Sequence, residues 1–295
     1  MIEPFLADEA FLADVTRSRS ERDGFRLWWL GQSGFLVQWD GHHLLLDPYL
    51  SESLTEKYAA TYKPHVRMTR RVVAPERLDF VDVVTASHNH TDHLDGETLG
   101  PLRAANPGLT LVIPEANRAF VAERLLSDPS WPIGLDESQA ADVAGFRIAA
   151  VPAAHETIDR DGEGRCHHLG YVVRFGPWSL YHSGGCVPYD GQVERLRPLA
   201  VDLALLPING RAPERRVPGN FTGEEAARLA HAIGARLAVP CHYDMFEFNT
   251  ASPDAFSDEC ARFGQACRVL RGGERLTSAD LPRGGGTWVL RSAQS

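Results

Sequence analysis

Apolar residues recur at helical spacing from 5 to 15 and predict an amphipathic packing helix. Two apolar runs, 35–39 and 43–47, flank Asp40-Gly41, a dipeptide that favours a two-residue hairpin. His42 and His43 then fall at the turn and read as exposed polar residues rather than ligands. Further apolar runs at 81–86, 109–114 and 146–151 predict strands, with a helix over 115–127 that carries Phe120, Val121, Leu125 and Leu126. A second hairpin, 171–175 with 178–182, turns at Gly176-Pro177. Strands follow at 201–207 and 237–239, and a last one at 287–290 after Gly284-Gly285-Gly286. Thr222-Gly223-Glu224-Glu225 has capping-box spacing and opens a helix to about Gly234, with His231 on its surface. Hairpins followed by strands alternating with helices, once in each half, predict an α/β protein: an αββα sandwich of two mixed β-sheets with helices outside. The expected organisation is a single domain over 1–295, with 1–24 as an N-terminal helical extension.

Residues 51–75 break the pattern. They show no periodicity and carry Lys57, Lys63, His65, Arg67, Arg70 and Arg71, which suits either a lid over an anionic substrate or a solvated charged loop. The chain as a whole is acidic, with net charge −9 and pI near 5.7, so no nucleic-acid partner is expected. The N-terminus lacks a basic stretch followed by an apolar core, and no run reaches the ~20 apolar residues a membrane span needs. Five cysteines (166, 186, 241, 260 and 267) form no CxxC pair and read as free thiols. A soluble cytoplasmic protein is the expectation, with assembly into a homo-oligomer left open.

Candidate chemistry concentrates at one place. Ser87-His88-Asn89-His90-Thr91-Asp92-His93 follows the strand-like run 81–86 and packs three imidazoles and a carboxylate into six positions. At a strand end His88 and His90 point the same way and can share one ion, while Asp92 and His93 project elsewhere and can serve a neighbouring one. Asp47, His155 and His242 each close another apolar run. An N/O donor set suits zinc, manganese or iron. Arg211 in the basic turn 211–216 is the candidate for holding a phosphate or carboxylate, ahead of Arg215 and Arg216; His167 and His168 read as structural or exposed.

The run His88-Asn89-His90-Thr91-Asp92-His93 resembles the HxHxDH signature of the metallo-β-lactamase superfamily. Trp29-Leu30-Gly31-Gln32-Ser33-Gly34-Phe35, Tyr181-His182-Ser183-Gly184 and Pro240-Cys241-His242-Tyr243-Asp244 resemble the branch of the ascorbate-phosphate lactonases, with N-acylphosphatidylethanolamine phospholipase D more distant. The resemblance implies two divalent ions, zinc or manganese: one held by His88, His90 and His155, the other by Asp92, His93 and His242. It also implies that Asp47 orients a ligand histidine. Where it leads one to expect a bridging aspartate, the chain has Gly185. Three readings follow: Cys186 or Asp190 substitutes, the site runs without the carboxylate, or the second metal is weakened. The implied activity is attack of metal-activated hydroxide on a lactone or ester of a small anionic substrate, with Asp92 and Tyr243 as proton-handling groups. A phosphodiesterase or phospholipase-like hydrolase is the alternative reading, and a metal-impaired binding protein the third.

Overall fold

The computed structural model describes residues 1–212 and 219–282. The anticipated strand at 287–290, the glycine turn before it, and Arg215 and Arg216 lie outside these residues.

Among the described residues the strands form two sheets. The first comprises β1 (Phe25–Gly31), β2 (Gly34–Trp39), β3 (His42–Leu46), β4 (Val83–Thr85), β5 (Thr110–Pro114), β6 (Ile133–Leu135) and β13 (Arg275–Thr277), ordered β13-β1-β2-β3-β4-β5-β6. The second comprises β7 (Ala140–Val143), β8 (Phe146–Pro152), β9 (Leu169–Phe175), β10 (Trp178–His182), β11 (Leu203–Pro207) and β12 (Leu237–Cys241), ordered β12-β11-β10-β9-β8-β7. Both are mixed. Hairpin neighbours run antiparallel, whereas β3 to β6 and β10 to β12 run parallel.

The period of two along the strands explains how the sheets stack. In β3, Leu44 and Leu46 enter the core between the sheets while Leu45 enters a second core on the outer face. In β1, Leu27 and Trp29 face inward and Trp28 and Leu30 outward. The outer core is closed by α1 (Asp8–Ser18) through Phe11 and Val15, α3 (Gly96–Ala105) through Leu99 and Leu102, and α4 (Arg118–Arg124) through Val121. Across the molecule α6 (Gly223–Ile233) and α7 (Asp254–Phe263) cover the second sheet with Ala226, Ala230, Ile233, Phe256 and Cys260. This is the αββα arrangement. Burying each such Leu, Ile or Phe contributes about 1.5–3 kcal/mol.

Local signals account for the boundaries. Thr222 and Glu225 make the reciprocal capping box at the start of α6, and Gly234 ends it at φ +75. The long helix anticipated over 115–127 is shorter: a 3-10 turn at Glu115–Asn117 leads into α4, which leaves Leu126 exposed.

His43 departs from the sequence expectation. The Asp40-Gly41 turn forms as anticipated, but His43 belongs to the strand and is buried against Phe80, ring centroids 4.8 Å apart. Burial, helped by the charge of Arg19, lowers its pKa to about 4. The unfolded chain takes up this proton near pH 6.5 and the folded one only near 4, so stability is lost as pH falls through that window. The expected loss by pH 5 is about 2 kcal/mol. Urea unfolding at pH 7 and pH 5 should show this difference shrinking by that amount in His43→Leu; an unchanged difference would refute the assignment.

Candidate metal centre

Strand ends from both sheets deliver the site. From the first sheet, the turn after β1 brings Gln32, the end of β3 brings Asp47, and the loop after β4 brings His88, His90, Asp92 and His93. From the second, the segments after β8 and β12 bring His155 and His242. Gln32, Asp47 and His242 all adopt left-handed backbone conformations, with φ +48, +39 and +63. Non-glycine residues held there carry about 1 kcal/mol or more of strain each, and such residues cluster at functional sites.

Two groups of donor atoms gather at one cleft, which all of them line except the buried His88. His88, His90 and His155 each bring one atom within 4.8 Å of the others, and so do Asp92, His93 and His242. In the first group His155 Nδ1 donates to the Gly219 carbonyl at 2.7 Å, which turns its Nε2 toward His88. His88 Nε2 and His90 Nδ1 stand 3.1 Å apart, and the His88 and His155 rings 5.0 Å apart. Burial first, and the neighbouring imidazoles second, hold His88 and His155 well below the ordinary histidine range. Neutral imidazoles with converging lone pairs are the form a divalent ion requires.

In the second group Asp92 Oδ2 lies 3.3 Å from His242 Nε2 and 3.8 Å from His93 Nε2. Against the cost of burial, His93 and His242 hold the Asp92 carboxyl well below the usual range, so it is ionised. His242 Nδ1 is buried without a hydrogen-bond partner. An ordered histidine cluster with an orphaned ring nitrogen and an ionised carboxylate fits a cation.

Asp47 lies beneath both groups, fully buried. It accepts from Ser87 N at 3.0 Å, from Thr85 Oγ1 at 3.1 Å, from Ser87 Oγ, and from His93 Nδ1 at 2.7 Å. The last contact fixes the tautomer that leaves His93 Nε2 facing the cleft. Asp47 also stands beside His88 and His93, but its oxygens are already taken by these donors.

Several anticipated residues are placed elsewhere. Tyr243 is buried, stacks on Trp29 at 4.4 Å and donates to the Leu270 carbonyl; burial pushes its phenol far up, so it is not a proton-handling group at the cleft. Arg211 forms a two-pronged pair with Glu225 at 2.6 Å and donates to the Asn220 carbonyl at 3.1 Å, which ties the start of α6 and takes it away from the cleft wall. Cys186 is buried, donates to the Val187 carbonyl at 3.3 Å and has its thiol pushed up to about 12 by burial, so it does not replace the carboxylate absent at Gly185. Asp190 is exposed, and no metal group among the described residues includes it or Cys186.

Other residues enter the site without an individual sequence signal. Gln32 Nε2 donates to Asp92 Oδ2 at 2.8 Å and lies 3.1 Å from His242 Nε2; it sits within the 29–35 motif but no rule of spacing marks it. His168 is half-buried, its ring 5.0 Å from that of His88 and 5.5 Å from that of His155, and its Nδ1 lacks a partner. Burial and His90 lower its pKa to about 4. It enters because β9 begins beside the metal loop, where Leu169 N donates to the Ser87 carbonyl.

This fold and this cluster define a metallo-β-lactamase-type hydrolase. The profile of the "Beta-lactamase superfamily domain" family matches residues 42–243. A UPF0173 metal-dependent hydrolase of Methanopyrus kandleri is 30% identical over 254 residues, covering 83% of this chain and 95% of its own. Another, from Opitutus terrae, is 29% identical over 259 residues, covering 85% and 99%. A metallo hydrolase structure from Ignicoccus hospitalis shares the fold at TM-score 0.62 and 24% identity, over 86% of this chain and 97% of that one. The chain belongs to the metallo-β-lactamase superfamily and, within it, to the UPF0173 metal-dependent hydrolases.

Proposed function

We propose that the protein is a lactonase or esterase acting on a small anionic substrate with an apolar portion. The observation that carries this reading is a cleft of about 450 Å³ lined by His90 and His155 of the first donor group, by all of the second, and by Lys57. Lys57 belongs to α2 (Ser53–Tyr58), inside the basic segment 51–75, and makes no ion pair among the described residues. It replaces Arg211 as the cation for the anionic group. Tyr58, Phe246 and Phe248 gather around His65, with ring centroids 4.2, 5.2 and 4.5 Å away, and supply an apolar wall. Segment 51–75 thus acts as the substrate-facing lid.

The paired donor groups at the cleft favour direct attack by metal-activated water over a covalent enzyme intermediate. Zinc or manganese ions bound at the two groups would lower the pKa of water from ~15.7 toward ~7 and polarise the scissile carbonyl. His88, His90 and His155 would hold one such ion, and Asp92, His93 and His242 the other. Gln32 holds Asp92 in place, and Asp92, on the cleft lining, is the carboxylate placed to take up a proton there.

The test is hydrolysis of anionic and neutral lactones and of phosphodiesters by metal-reconstituted protein. Anionic lactones should turn over, and Lys57→Gln should raise KM about tenfold, roughly 1.4 kcal/mol of lost binding, with kcat nearly unchanged. Turnover confined to phosphodiesters would replace this reading with the phospholipase-like one.

A further inference from the structure

Segment 51–75 has a second side. In α2, Leu54, Lys57 and Tyr58 line the cleft of the metal centre, whereas Thr55 and, one turn on, Ala59 line another cavity of about 700 Å³, larger than the cleft. The helical period sets this division, because positions three and four apart share a face. His65 lines both cavities, so this stretch of chain is a wall between them. Thr55 Oγ1 donates to the His65 carbonyl at 2.9 Å, and the His65 ring stacks on Tyr58 in the cleft.

The lining defines what the second cavity can hold. Three guanidiniums reach it, and two are already paired. Arg67 pairs with Glu52 at 2.8 Å, and Arg70 with Glu3 and with Asp8, both at 2.8 Å. Arg71 donates through one terminal nitrogen to the Leu50 carbonyl at 3.1 Å and has no carboxylate partner among the described residues. Its remaining N–H groups make no hydrogen bond there, which leaves part of a planar fork free for a carboxylate. Ala59, Pro64 and Val66 add exposed apolar surface to the same lining. A cavity of this size, apolar with one unpaired cation, has the make-up of a small-molecule site, and a single free charge matches a monoanion.

We propose that this cavity binds a small free carboxylate with an apolar body, the carboxylate on Arg71 and the body on Ala59, Pro64 and Val66. None of the metal-group donors lines the cavity, so its occupant is a regulator and not a substrate, and the site does not depend on the hydrolase reading. Bound there, the ligand braces the tie between Thr55 and His65 and so fixes the wall that presents Lys57 and Tyr58 to the cleft.

Calorimetric titration of 1-naphthoate into metal-free protein tests this, with 1-naphthol as the uncharged body. The wild type should bind naphthoate about tenfold or more tightly than naphthol, the scale of a hydrogen bond to a charged group. Arg71→Gln should remove that difference, Arg71→Lys should keep part of it, and Lys57→Gln should leave it intact. Hydrogen exchange should show naphthoate protecting residues 55–66 in the wild type and not in Arg71→Gln. Equal affinity for naphthoate and naphthol in the wild type overturns the proposal. Naphthoate binding lost in Lys57→Gln and kept in Arg71→Gln also overturns it, by placing the carboxylate in the catalytic cleft. Both results leave the hydrolase reading standing, whereas naphthoate bound at Arg71 in a protein that hydrolyses nothing when loaded with metal would overturn that reading alone.

Discussion

His90→Ala is expected to lower hydrolysis by about 10³-fold or more and to leave the purified protein with less metal. His90 is half-exposed at the cleft floor, and its Nδ1 is one of three nitrogens in the first group. Removing it leaves two imidazoles, too few to position an ion and keep its open site directed at the substrate. The fold should survive, because the His90 side chain packs against other histidines and not against the apolar cores. Elemental analysis and circular dichroism on the same preparation separate the effects. Full activity with native metal content in this variant would be incompatible with the proposed site.

Asp47→Ala should do more damage to the fold. Its carboxylate is wholly buried and takes four hydrogen bonds, from two residues of the β4 end and from His93. Truncation strands those donors and removes the charge that, with Asp92, holds His93 above the ordinary histidine range despite burial. Loss of about 3 kcal/mol or more of stability is expected, together with weakened metal binding of about 10–100-fold. Asp47→Asn keeps the shape and one accepting oxygen, so it should recover most of the stability while metal affinity stays reduced. Equal metal affinity in wild type and Asp47→Asn would mean that Asp47 only braces the loop.

Much of this arrangement is legible in the sequence because strands report themselves through alternation. Leu44, Leu45 and Leu46 look alike in sequence, yet their period of two sends them to different cores, and the Asp40-Gly41 turn sets the register. His88 to His93 stand out because four donors in six positions have few other uses. Tyr243 and Arg211 mislead for a common reason: adjacency in sequence to a strand end does not say which way a side chain leaves the backbone. His242 points into the cleft and Tyr243, one residue on, points to Trp29. Arg211 finds Glu225, whose place is set by the capping box fourteen residues later. Gln32 and His168 carry no periodic or spacing signal, since each acts through a tertiary neighbour that only the folded chain supplies, and Lys57 reaches the cleft only because the folded segment 51–75 brings it there.

The division of the donors between the two sheets has a consequence for the order of assembly. His88 and His90 need His155, and Asp92 and His93 need His242, so neither sheet alone holds a complete group. A chain emerging from the ribosome cannot complete the first group until residue 155 has been made and β8 has joined its sheet, nor the second until residue 242 has been made and β12 has joined. Completion of both groups therefore comes late, and an ion held at either would act as a rivet between two layers that have already folded.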